Sequence, residues 1–162
     1  LKDDDYINSH FVIMATKRGQ VKKTSLEQYS RPRTNGINAI TIKDEDELLE
    51  AKLTTGESQV MLALRSGKAI RFEEAKTRPM GRNASGVRGI TLAHQDDEVI
   101  GMVAVNDMES NILVVSENGY GKRSSLEDYR ITNPTPSVVT LDNEEAKLTS
   151  GEEVPFQTGG YQ

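Results

Sequence analysis

The chain has 162 residues, a net charge of −5, 35% hydrophobic and 28% charged residues, and no cysteine. That length supports one domain with a true core, and the composition is polar without being that of a disordered chain. Disulfides and thiolate chemistry are excluded, and no apolar run approaches the length of a membrane-spanning helix.

The N-terminal LKDDDYINSH is acidic and polar, with no signal-peptide pattern and no initiator methionine. It reads as the start of a piece cut from a longer polypeptide, and the missing cysteine suits a reducing cytoplasm. The next element, Phe11–Ala15, is a short run of β-formers that ends at Arg18-Gly19. Gln59–Leu64 ends likewise at Ser66-Gly67, and Asn111–Val115 at Asn118-Gly119. Each X-Gly predicts a two-residue hairpin, and Asn-Gly a type I′ turn with positive φ at both central positions. A second, basic strand follows each turn. Further strands are expected at Ile37–Ile42 and Val87–Leu92, while Asp46–Leu53 has helical composition but is short.

These elements repeat. Gly19, Gly67 and Gly119 are spaced 48 and 52 residues apart, and four residues after each comes a cation: Lys23, Arg71, Arg123. Leu26-Glu27-Gln28-Tyr29 matches Leu126-Glu127-Asp128-Tyr129, Arg31-Pro32 matches Arg78-Pro79, and Gly36-Ile37 matches Gly86-Val87. About four short strands in about 50 residues is the arithmetic of a propeller blade. The fold class is therefore all-β, with about three propeller-like blades near 11–58, 59–110 and 111–133 forming a partial ring. Blade edges left open by a partial ring invite self-association.

Charge follows the same period. Residues 15–42 carry six Lys or Arg against Glu27, and residues 65–92 carry seven against Glu73 and Glu74. The connecting stretches 43–64 and 93–114 are acidic. The net negative charge thus hides basic segments at matching repeat positions, which a radial arrangement would place on one rim. Cations at blade spacing suit contact with a DNA backbone, without reading of base edges.

In sequence, MATKRGQVKKTSLEQYSRPR, GKAIRFEEAKTRPMGRNASGVRGITL and SENGYGKRSSLEDYRITN resemble the C-terminal domain of DNA gyrase A, whose repeat is shared with topoisomerase IV. The resemblance covers about residues 10–133. It implies a β-pinwheel that bends duplex DNA around a basic outer edge and supports negative supercoiling. It further implies a bacterial, cytoplasmic, nucleoid-associated protein. Partners would be double-stranded DNA, the rest of gyrase A and gyrase B, with no membrane and no cofactor. Catalytic residues would lie outside this chain. The expected DNA contacts are Lys17, Arg18, Lys22, Lys23, Arg31, Arg33, Lys68, Arg71, Arg78, Arg82, Arg88, Lys122, Arg123 and Arg130. Alternatives are the topoisomerase IV C-terminal domain and a propeller-like protein-interaction module.

Two features depart from the family. Its glycine-rich basic box is absent, and the pattern fails after Asn133. Residues 134–162 resemble a segment of bacterial secretins, yet EAKLTSGE at 145–152 echoes EAKLTTGE at 50–57. The tail is either a diverged blade strand or a foreign segment.

Other candidates read as structural. Gly119 to Ser124 lacks the Gly-x4-Gly-Lys-Ser/Thr spacing of a phosphate loop. His10 and His94 have no ligand spacing, and the acidic runs at 44–47 and 96–98 read as solvated loops. Asn83-Ala84-Ser85 fits a glycosylation sequon without a secretory route. Tyr29 and Tyr129 are expected to pack, and Gly36, Gly86 and Gly89 to serve turns and strand packing. No nucleophilic triad or paired carboxylates emerge, so the chain is read as non-catalytic.

Overall fold

The structure is a computed structural model that describes residues 3–129 and 154–155. A short helix, α1 (Asp4–Ser9), is capped by the Asp3 carboxylate, which accepts from the N–H groups of Asp5 and Tyr6. Then come β1 (Phe11–Thr16), β2 (Gln20–Ser25), β3 (Leu48–Thr54), β4 (Gln59–Leu64), β5 (Lys68–Glu73), β6 (Val87–Arg88), β7 (Val99–Val105), β8 (Asn111–Val115), β9 (Gly121–Ser125) and β10 (Val154–Pro155). A 3-10 turn follows β2, β5 and β9, beginning at Leu26, Glu74 and Leu126.

The three hairpins are copies in register. Ile13 pairs with Lys23, Met61 with Arg71 and Leu113 with Arg123. Each turn closes the same way: Gly19 N–H donates to the Thr16 carbonyl at 3.0 Å, Gly67 to Leu64 at 3.0 Å and Gly119 to Ser116 at 3.0 Å. The three glycines have φ of 84°, 84° and 83°, but the residues before them do not have positive φ. The turns are therefore not type I′. They match the longer hairpin loop whose last residue is left-handed, the conformation that selects glycine there.

The blades exchange strands. The first sheet has the order β3-β1-β2-β6, the second β10-β5-β4-β7, and the third consists of β8 and β9. The segment expected to be helical, Asp46–Leu53, instead supplies β3, because its backbone pairs with the open edge of β1 while Leu49 packs against the core. Residues 37–42 form no strand. Their repeat counterpart, β6, leaves its own blade and pairs with β2 of the preceding one, Val87 opposite Val21. β10 takes the same position in the second blade, Val154 opposite Ala69. The two readings of the tail otherwise fall outside the described residues.

Between the first two blades lies one apolar cluster that includes Ile13, Val21, Leu62, Phe72, Ile90 and Met102, all almost wholly buried. A smaller cluster of Met61, Ala69 and Tyr129, with Ile112 against it, joins the second blade to the third. Tyr29 is half-buried and its hydroxyl donates to the Ala39 carbonyl at 2.9 Å. Both tyrosines therefore pack or bond internally.

The strand exchange demands close backbone approach. Gly86 has a φ of 97°, and a Cβ there would sit 2.6 Å from the Val21 carbonyl oxygen. Gly67 also has positive φ but open space around it. Gly86→Ala should cost about 2–3 kcal/mol, from strain plus backbone overlap. Gly67→Ala should cost about 1 kcal/mol, from the left-handed conformation alone. Urea unfolding of the two variants reads the difference.

Candidate nucleic-acid interface

The cations expected to contact DNA divide into three groups among the described residues. The first is inside the protein. Lys22 is 0% exposed, and its Nζ donates to the carbonyls of Ala39, at 2.6 Å, and Arg82. It joins the loop after β2 to the loop after β5. Burial, with the positive Arg82 nearby, pulls its pKa below the ordinary lysine value. Lys23 is 4% exposed. Its Nζ lies 3.3 Å from Glu74 Oε1, 3.3 Å from the Gly56 carbonyl and 4.4 Å from the centre of the Phe11 ring. Arg71 is 9% exposed, and its Nη1 donates to the Leu126 carbonyl at 2.5 Å. Burial lowers its pKa against the opposing pull of Glu127.

Lys22, Lys23 and Arg71 were expected on the rim, and the structure removes them from it. The reason is the blade itself. In the first two hairpins the second strand is an inner strand, flanked on its far side by β6 in one case and by β10 in the other. Cations there are enclosed and need acceptors, which carbonyls and Glu74 provide.

The second group lies at the turn end of the hairpins, among acids. Lys17 Nζ is 2.6 Å from Glu47 Oε2, and Glu47 raises its pKa. The exposed Arg18 donates through Nη1 to the Gln95 carbonyl at 2.5 Å. The acidic runs are largely exposed, as expected of solvated loops, but one aspartate in each is structural. Asp46 Oδ1 accepts from the N–H groups of Arg18 and Glu47 at 2.9 and 2.8 Å. One blade on, Asp97 Oδ1 accepts from Ser66 and Glu98, both at 3.0 Å. These aspartates cap the hairpin turns, and Asp97 is buried rather than solvated. Asp-Asp and Glu-Asp pairs gave no cue to that role, because it depends on a turn 28 or more residues away in sequence.

The third group faces outward. Residues 78–88 run along the outer edge of β2. Pro79 bridges to Lys23, the Met80 N–H donates to the Lys23 carbonyl at 2.7 Å, and Arg88 pairs with Gln20. Arg78 and Arg88 are exposed and Arg82 half-buried, and no acid occurs from 77 to 92. Arg31 and Arg33 are exposed on the neighbouring loop. The two loops are tied by Thr41 Oγ1 to the Asn83 carbonyl at 2.7 Å and by the Arg82 N–H to Gln28 Oε1 at 2.8 Å. Arg123 is exposed, and Lys68 and Lys122 are half-buried. Arg130 lies outside the described residues.

His94 is exposed, whereas His10 is half-buried and stacks on Tyr6 with ring centres 3.8 Å apart. Among the described residues no three His, Asp or Glu side chains gather as metal ligands, and no helix is long and apolar enough to cross a membrane.

The family model described as DNA gyrase C-terminal domain, beta-propeller, matches residues 10–55, 60–106 and 110–154. The chain belongs to the DNA gyrase C-terminal domain family. The DNA gyrase A protein of Chlamydia pneumoniae is 45% identical over 130 residues, which is 80% of this chain and 16% of that protein. The DNA gyrase A protein of Staphylococcus aureus (strain MRSA252) is 45% identical over 125 residues, 76% of this chain and 14% of that protein. The chain thus spans a small part of the length of these relatives. Among solved structures, the C-terminal domain of DNA topoisomerase IV superposes with a TM-score of 0.73 at 25% identity, over 80% of this chain and 40% of that one. The DNA gyrase A C-terminal domain gives 0.69 at 21%, over 94% and 51%. The propeller-type fold of the family is the fold found here.

Lys22 should matter to this gyrase-type fold as a strut. Lys22→Ala removes the donor of two part-buried carbonyls and leaves a cavity where the buried side chain stood. It should lower stability by about 2–4 kcal/mol in urea unfolding, with faster amide exchange at Thr41 and Ala84, where the two loops join.

Proposed function

We propose that this chain is a non-catalytic DNA-binding and DNA-wrapping module of a type IIA topoisomerase, the gyrase A protein. Duplex DNA would follow the outer edge of the blades, bent by backbone contacts with Arg31, Arg33, Arg78, Arg82 and Arg88. The observation that carries this reading is the acid-free segment 78–88, which lies along the outer edge of β2 with three arginines on it. Phosphates attract such a ridge without regard to sequence, so preference among DNAs would come from ease of bending. Lys68, Lys122, Arg123 and Arg130 are further proposed contacts. Lys17 and Arg18 are weaker ones, since Glu47, Asp46 and the Gln95 carbonyl already engage them.

The 45% identity to gyrase A proteins favours that parent over topoisomerase IV. In the longer protein the partners would be the rest of gyrase A and gyrase B, and the setting the bacterial cytoplasm beside the nucleoid. Strand breakage and ATP hydrolysis would belong to other parts of the holoenzyme.

A gel-shift series on duplex DNA from about 50 to 200 mM salt tests the reading. Affinity should fall steeply through counterion release. Replacing Arg78, Arg82 and Arg88 together by alanine should flatten the log–log slope by about three. Binding indifferent to salt, or a slope unchanged in the triple variant, would reject this ridge.

A further inference from the structure

The position four residues beyond each turn glycine holds a cation in all three repeats, and each cation pairs across its hairpin with an apolar residue. In the first two repeats it reaches out of its own blade. Lys23 Nζ meets Glu74 Oε1 at 3.3 Å, in the 3-10 turn that follows β5. Arg71 Nη1 donates at 2.5 Å to the Leu126 carbonyl, in the 3-10 turn that follows β9. Glu74 and Leu126 occupy the same repeat position, both seven residues after their turn glycines. The same donor therefore finds the same turn one blade further on. The acceptor chemistry differs, a carboxylate in one case and a backbone carbonyl in the other, so the recurrence belongs to the position and not to one ion pair. Both donors and both acceptor residues are buried. The third member, Arg123, is exposed, and the described residues contain no 3-10 turn of a following blade.

We propose that this cation is a latch between successive blades: Lys23 and Arg71 set the angle at which one blade meets the next, and neither touches phosphate. The consequence for DNA rests on the wrapping reading above, because the blade angle would set the curvature of the arginine ridge. The latch itself is tested without DNA. A buried pair holds a relative orientation, since losing the Lys23 charge leaves the Glu74 carboxylate buried with only the neutral Thr54 and Ser58 donors, and losing Glu74 leaves the ammonium with only the Gly56 carbonyl and the Phe11 ring.

The chain has no cysteine, so introduced pairs label uniquely. Glu27→Cys with Ala75→Cys reads the first blade against the second, and Ala75→Cys with Asp128→Cys the second against the third. All three sites are exposed. Pulsed electron-paramagnetic-resonance distances should be narrow in the parent chain. Lys23→Met should broaden the first distribution about twofold and spare the second, and Arg71→Met the reverse. Arg123→Ala should leave both unchanged, and Lys23→Arg should restore the narrow distance. In unfolding, a cycle of Lys23→Met and Glu74→Gln should show coupling of at least tenfold. Should Lys23→Met alone fail to fold, folding of the double variant reads the same coupling. Narrow distances in both methionine variants, or no coupling, would overturn the latch. So would a salt slope that falls by about one on changing Lys23 or Arg71. If the parent chain binds no duplex at all, the wrapping reading fails while the distances and the cycle still decide the latch.

Discussion

The first two blades are held in one orientation by a lysine and a glutamate that have almost no access to water. Glu74 is 0% exposed, and its carboxylate is fully engaged: Lys23 and the Thr54 hydroxyl meet Oε1 at 3.3 and 2.6 Å, and the Ser58 N–H meets Oε2 at 3.3 Å. Taking two charges out of water costs several kcal/mol each, so such a pair is a poor source of net stability. Its value lies in permitting one geometry. The apolar cluster between the blades drives their association without direction. The ion pair and its hydrogen bonds select one arrangement from the many that would bury the same area.

Strand exchange ties that arrangement to the outer surface. β6 belongs by sequence to the second repeat but completes the sheet of the first. The chain leading to it, from Arg78 to Arg88, both covers the β2 edge and carries the arginines of the ridge. An open sheet edge is a hazard, and here it is closed by the segment that presents charge to solvent. Lys22 secures the segment from beneath through the Arg82 carbonyl. The interior cations hold in place the loops whose own cations face outward.

Charge is thereby sorted largely by place, with Arg88 at the boundary, where it shares a cleft with Asp44 and Glu45. Acidic runs lie at the turn end, where Asp46 and Asp97 accept backbone N–H groups and Glu47 engages Lys17. The outer edge carries arginines with no acid in the same segment. A net charge of −5 therefore sets no bar to a polyanionic partner, whose field is felt within about 10 Å at ordinary salt.

Much of this was legible in the sequence because its signals are local. Hairpin strands at Phe11, Gln59 and Asn111, glycines at the turns and an all-β repeat follow from β-propensity, from the need for positive φ, and from recurrence at a spacing of about 50 residues. The presence of basic segments was equally plain. Tertiary structure alone decided which cations face water. Lys22 and Lys23 look the same as Arg31 and Arg33 when read along the chain, yet the first pair is enclosed and the second exposed. The difference arises because a strand's two edges are covered by segments far away in sequence, and periodicity within the strand carries no information about them. The helical composition of Asp46–Leu53 was overridden likewise by the open edge of β1. Local chemistry dictated the hairpins, while packing between repeats dictated which side of each hairpin became interior.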